Sequence, residues 1–251
     1  MIKGFSTGAL AKNDFKRAID LLRESSANAV ELSALREDEV KDLIDSIDDL
    51  DLSRFEYISF HAPSKLIHMS EEELVNLLEP IVQKGWPIIT HPDIISDFKE
   101  WKKLGACLSI ENMDKRKPIG RTTIDLEEIF NKLPAASFCF DIAHASQVDP
   151  TMTEGYLMVK RFKDKLKEIH ISSVNTQSKH EALTFESLLS FKKLAQFIPD
   201  NVPVILESPV TLDQIEHEMD LAVSILLKEA NNQPSYQTLR TVLDIVNTNS
   251  Y

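Results

Sequence analysis

SFCFDIAHA, residues 137–145, alternates bulky and small side chains over five positions, reaches an acid at Asp141, and then changes character. An alternation of period two is the mark of a β-strand, so Phe138 and Phe140 face one side and Cys139 and Asp141 the other. Seven other runs of the same kind recur along the chain: IKGFS (2–6), NAVEL (28–32), YISFH (57–61), PIITH (87–91), CLSIE (107–111), LKEIH (166–170) and PVILE (203–207). Between runs lie segments such as DFKRAIDLLRESS, SEEELVNLLEPIVQ, DLEEIFNKL, TEGYLMVKRFKDKL and FESLLSFKKLAQFI, with apolar residues at i, i+3, i+4 and i+7. Strands alternating with helices build right-handed βαβ units and a parallel sheet. Eight units fill about 210 of the 251 residues, the size of a (β/α)8 TIM barrel. A doubly wound open sheet is the competing α/β architecture, but no GxGxxG loop follows the first strand and the chain holds only six glycines.

The expectation is one barrel domain over 1–251. Its eighth helix is DQIEHEMDLAVSILLKEA, and an extra helix, SYQTLRTVLDIV, follows Pro234. Forty acids against 28 bases give a net charge of −12, which argues against a nucleic-acid binder that relies on many phosphate contacts and leaves room only for a local basic patch. No run approaches the roughly 18 apolar residues that span a bilayer, and MIKGFSTGALAKNDFKRA lacks a signal peptide's apolar core, so a cytoplasmic protein without membrane contact is expected. Cys107 and Cys139 lie in apolar segments without CxxC spacing and read as packing. Residues 37–56 hold nine acids and two bases, the signature of a solvated helix face and loop.

The strand ends carry the chemistry. They are His61, His91, Glu111, Asp141, His170 and Glu207, with His144 three residues past Asp141. In a parallel barrel all carboxyl ends share one rim, where active sites lie. The same parity that sends Asp141 inward sends His61 inward with Ser59, Glu111 with Ser109, and Glu207 with Ile205. Three inward carboxylates near one axis do not stay ionised without a cation. Oxygen and imidazole donors without thiolate suit Zn, Mn, Fe(II) or Co. Lys115, Arg116, Lys117 and Arg121, in ENMDKRKPIGR, follow Glu111 on the rim loop and either contact a substrate phosphate or carboxylate or form a solvated loop. Glu31 ends the second strand and reads as a hydrogen-bonded structural carboxylate; His68 and His217 read as surface residues.

Taken in order on strands three to eight, SFHAP, THPD, SIENMD, FCFDIAHA, EIHISS and ILESP resemble the xylose-isomerase-like TIM barrels, the superfamily of endonuclease IV and many sugar isomerases and epimerases. The resemblance spans about residues 1–210. For the isomerases it implies one divalent metal held by Glu111, Asp141, His170 and Glu207, with Glu111 and Glu207 moving the proton alpha to a carbonyl of a small sugar or sugar phosphate. For endonuclease IV it adds His61, His91, His144 and His180; His61, His91 and Glu111 would then share a metal for phosphoester hydrolysis. The aspartate of that enzyme's D-x-H pair is Ser178 here, in Ser178-Lys179-His180, which leaves a third metal only His144 and His180. The compact length favours isomerase or epimerase over nuclease, and an inward ligand set this complete disfavours a barrel that only binds a ligand.

Overall fold

The computed structural model describes residues 1–228, and the statements below concern those residues. Eight parallel strands close a barrel: β1 (Lys3–Ser6), β2 (Ala29–Ser33), β3 (Tyr57–His61), β4 (Ile88–Thr90), β5 (Leu108–Glu111), β6 (Ser137–Asp141), β7 (Leu166–Ile171) and β10 (Val204–Leu206). Their order around the barrel is β1-β10-β7-β6-β5-β4-β3-β2. A two-stranded antiparallel hairpin, β8 (Ser173–Val174) with β9 (His180–Glu181), stands above β7 and was not expected.

Period two divides every strand between two environments. Phe5, Val30, Leu32, Phe60, Ile110, Phe138, Phe140, Ile169 and Leu206 are buried in one apolar cluster with helix residues such as Ile19, Leu22, Leu43, Leu126, Val159 and Met219. Burying side chains of this size is worth about 1.5–3 kcal/mol each, so this outer layer holds the helices on the barrel. The alternate residues face the axis, where barrels ordinarily stack Val, Ile and Leu. Here that face carries Ser6, Glu31, Ser59, Ser109, Cys139, Glu168 and His170, all buried. The seam of β1 and β2 is tight as well: a Cβ on Gly4 would lie 1.7 Å from the carbonyl oxygen of Ala29, so only glycine closes the barrel there.

The expected elements are present with small shifts. β4 ends at Thr90, and His91 caps a short 3-10 turn, Pro92–Ile94; β10 ends at Leu206, with Glu207 next in line. SEEELVNLLEPIVQ forms two helices, Glu71–Leu77 and Glu79–Lys84, because Pro80 has no amide proton to continue the first ladder. Ser70 and Glu73 cap the first of these reciprocally. The last described helix is Ile215–Leu226, and SYQTLRTVLDIV lies outside the described residues. No helix among the described residues is long and apolar enough to cross a membrane.

Candidate metal centre

A cavity of about 670 Å³ opens at the carboxyl ends of the strands. His61, His91, Glu111, His144, His180 and Glu207 line it, and Lys12, Lys65, Asp93, Asp114, Arg116, Lys117 and Ser178 also contribute to its wall. All of these histidines and glutamates but His180, which sits on β9, arrive from a barrel strand end or the first residues after one, which is why side chains so distant in sequence meet.

Glu111, Asp141, His170 and Glu207 bring four donor atoms within 4.8 Å of one another. Two further sets, His61–Glu111–His170 and Cys139–Glu168–His170, meet the same limit. Glu111 is the hub. Its Oε2 lies 3.2 Å from Nε2 of both His61 and His91, and its Oε1 lies 3.3 Å from His144 Nδ1 and 3.7 Å from His170 Nδ1. Asp141 is held by its neighbour strand: the Asn112 side chain donates to the Asp141 carbonyl and accepts from the Asp141 amide, both at 2.8 Å. One Asp141 carboxylate oxygen accepts from the His144 amide at 2.7 Å, capping the helix Ile142–Val148.

The other oxygen, Asp141 Oδ2, has no hydrogen-bond partner, and neither have His170 Nδ1 and Glu207 Oε2. Buried polar atoms are almost always paired, because an unpaired one keeps its full desolvation cost. Three such atoms on three residues of one ligand-type cluster fit a cation, and a set of three carboxylates and one imidazole fits a divalent one.

The local charges follow from this crowding. Burial would raise Glu111, but His91, His144, His170 and His61 hold it well below the usual carboxylate range. Burial pushes Glu207 up to about 8; His170 opposes the rise, and Glu111 and Asp141 add to it. Burial disfavours charge on His144, yet Asp141 and Glu111 lift it to about 10; Glu31 and Glu111 likewise lift His61 to about 9. Two neighbouring carboxylates thus shift in opposite directions: the imidazoles prevail at Glu111, and burial with the nearby carboxylates prevails at Glu207.

The remaining expected residues are placed as follows. His180, on β9, donates or accepts at Ser172 Oγ (2.8 Å) and lies 3.6 Å from Glu207; its ring is 5.5 Å from that of His144. Ser178 adopts φ +56° and hydrogen-bonds Gln147 at 2.5 Å, so its hydroxyl is already engaged where the D-x-H aspartate would stand. Arg116 is clamped on Asp114 (2.9 and 2.8 Å) and on the Gln177 carbonyl, and Lys117 pairs with Asp93 at 2.7 Å. Both line the cavity; Arg121 does not, since the chain turns at Gly120 (φ +84°) and the Arg121 amide goes to Asp125 at the start of the next helix. Glu31 reaches under the centre to His170 Nε2 at 3.0 Å.

Sequence reasoning passed over Lys12, Lys65 and Glu168. Lys12 and Lys65 are exposed loop residues with no motif around them. Glu168 did carry a signal: a charged residue in the middle of a strand, two positions before a ligand-type histidine, in KEIHI.

No protein-family model and no curated protein matches the chain by sequence. Solved structures do match by fold. The probable 3-DHS dehydratase AsbF of Bacillus anthracis superposes with a TM-score of 0.60 at 10% identity, covering 89% of this chain and 99% of its own. A xylose isomerase-like TIM barrel protein of Mycobacterium smegmatis, solved in complex with magnesium, gives 0.53 at 13% identity over 87% and 92%. Endonuclease IV of Thermus thermophilus gives 0.52 at 15% identity over 99% and 100%. One architecture therefore carries a dehydratase, a magnesium-binding barrel and a nuclease, and the reaction of this chain has to be argued from its own residues.

Proposed function

We infer, from the premise that this chain has the xylose isomerase-like TIM-barrel fold, that it is a divalent-metal-dependent isomerase or epimerase of a small sugar or sugar phosphate. The observation that carries the reading is the cluster of Glu111, Asp141, His170 and Glu207, one donor atom of each lying within 4.8 Å of the others, with three of the four residues also keeping a buried atom without a hydrogen-bond partner. Glu111, Asp141, His170 and Glu207 would hold the ion, which when bound supplies Lewis-acid polarisation of a substrate carbonyl and its neighbouring hydroxyl.

The protein's own groups then divide the work. Glu207 has the most open side chain of the four, 12% exposed, so it takes or returns the proton alpha to the carbonyl. Glu111 is its counterpart on the other carbon or face, with its charge held by the surrounding imidazoles. His61, engaged at both nitrogens, positions Glu111, and His91, whose Nδ1 has no partner, orients a substrate hydroxyl. Lys12 and Lys65, cavity-lining and without an ion-pair partner among the described residues, are cations placed to meet a phosphate, because Arg116 and Lys117 are already spent on Asp114 and Asp93.

A second reading, phosphoester hydrolysis, has one specific support: the Glu111 carboxylate lies between two donor sets, with His61 and His91 at Oε2 and His144 and His170 at Oε1. The test is a metal count on purified protein alongside assays on aldose and ketose phosphates and on an abasic-site duplex. One tightly held ion per chain with sugar turnover is the expected result; two ions with duplex cleavage would replace the first reading by the second.

A further inference from the structure

His170 is completely buried, and its two ring nitrogens face different surroundings. Nδ1 looks up to the mouth, 3.7 Å from Glu111 and from Glu207, with no hydrogen-bond partner. Nε2 looks down the barrel axis, 2.7 Å from Glu168 Oε1 and 3.0 Å from Glu31 Oε2. Glu168 and His170 are two residues apart on β7, so their side chains leave the same face of the strand; Glu31 comes from β2. Both carboxylates are fully buried, in a region that apolar side chains fill in an ordinary barrel. The ring also stacks on His61, with centroids 6.0 Å apart and planes 25° apart.

A neutral imidazole carries a proton on one nitrogen and a lone pair on the other, and an ionised carboxylate only accepts. Both nitrogens face carboxylates, but only Nε2 has them within hydrogen-bond distance, at 2.7 and 3.0 Å against 3.7 Å for Nδ1, so Nε2 is the protonated one. We propose that Glu168 and Glu31 are positioning residues that keep the His170 proton on Nε2, fix the plane of the ring, and so dedicate the Nδ1 lone pair to the metal. The proposal rests on the metal-centre reading above and adds to it the residues that select the donor nitrogen. Carboxylates in this role raise the basicity of a ligating histidine as well as orienting it. The same place has one competing use, a metal on Cys139, Glu168 and His170, which would take Nε2 itself as a ligand.

The experiment uses the zinc-loaded and cobalt-loaded full chain. Long-range proton–nitrogen correlation spectra of the zinc form are expected to show His170 metal-bound at Nδ1, with a protected proton on Nε2. Glu168→Ala is expected to weaken zinc binding roughly 10–100-fold and to expose that proton to exchange, with Glu168→Gln recovering part of both because its amide oxygen still accepts. The Glu31→Gln variant should shift both readouts the same way by less. Unchanged affinity and proton exchange in Glu168→Ala would overturn the proposal while leaving the four-residue centre standing; zinc bound tightly through Nε2, or a thiolate charge-transfer band in the cobalt form, would overturn both. Wild type that binds no zinc would remove the metal-centre reading itself. Should the alanine variant not fold, the wild-type spectrum alone decides.

Discussion

Two arcs of the barrel meet at Glu111 and differ in what they leave unpaired. The arc from β5 through β6 and β7 to β10 supplies Glu111, Asp141, His170 and Glu207, and three of these four end in buried atoms without partners. The opposite arc, β2 to β4, supplies His61 and His91. His61 is met at both nitrogens, by the Ala62 carbonyl at 2.7 Å and by Glu111 at 3.2 Å, whereas His91 meets Glu111 at Nε2 and keeps a buried Nδ1 without a hydrogen-bond partner. Among these six residues the unpaired atoms therefore lie mainly on the first arc, three against the single Nδ1 of His91. That difference is what favours one ion over two.

The strongest way to break the comparison is to remove the residue both arcs share. Glu111→Gln is expected to abolish activity and to cut metal affinity by more than the roughly 10–100-fold that an outer-shell partner is worth, while the far-ultraviolet spectrum stays that of a folded barrel. Elemental analysis of the purified variant checks it, and wild-type metal content would refute the assignment of Glu111.

A narrower cut separates the arcs. His91→Ala is expected to keep the tightly held ion and to lower kcat/KM about 10–100-fold, the range of a hydrogen bond to a charged group at about 1.5–3 kcal/mol. Metal titration of the apo variant beside apo wild type gives the stoichiometries. Loss of one equivalent would mean that the second arc holds an ion of its own and would turn the argument toward hydrolysis.

The smallest effect belongs to the cavity wall. Lys12→Ala and Lys65→Ala are each expected to raise KM for a phosphorylated substrate by about three- to tenfold, since exposed charges are screened and worth less than buried ones. KM for the unphosphorylated sugar should not move; an equal rise for both substrates would count against the anion role.

The barrel and its rim were legible because they rest on period two and on residue type at strand ends, both of which survive in a bare sequence. Asp141 shows why: one residue closes SFCFD as a strand and opens IAHASQV as a helix, so its position on the rim follows from the pattern alone. Glu168 was harder to see because strand interiors are expected to pack, and its partner Nε2 becomes visible only when β2 and β7 are placed across one axis. Arg121 was assigned to the rim by adjacency to Glu111 and stands off it, because Gly120 turns the chain where a Cβ would lie 2.5 Å from Pro92. Lys12 and Lys65 owe their place to how two loops fold over the mouth, which no local spacing encodes.

The Asn112 side chain grips the Asp141 backbone in both directions while Asn112 itself follows Glu111 in the chain. Two donor-bearing strands are thereby bolted together at the rim, and the gap between Glu111 and Asp141 works as a calliper set in advance. Discrimination between cations depends on how rigidly a cage keeps its size as well as on what it is made of. In the centre proposed above, the spacing of two donors would thus be set by one amide as well as by the identity of the donors.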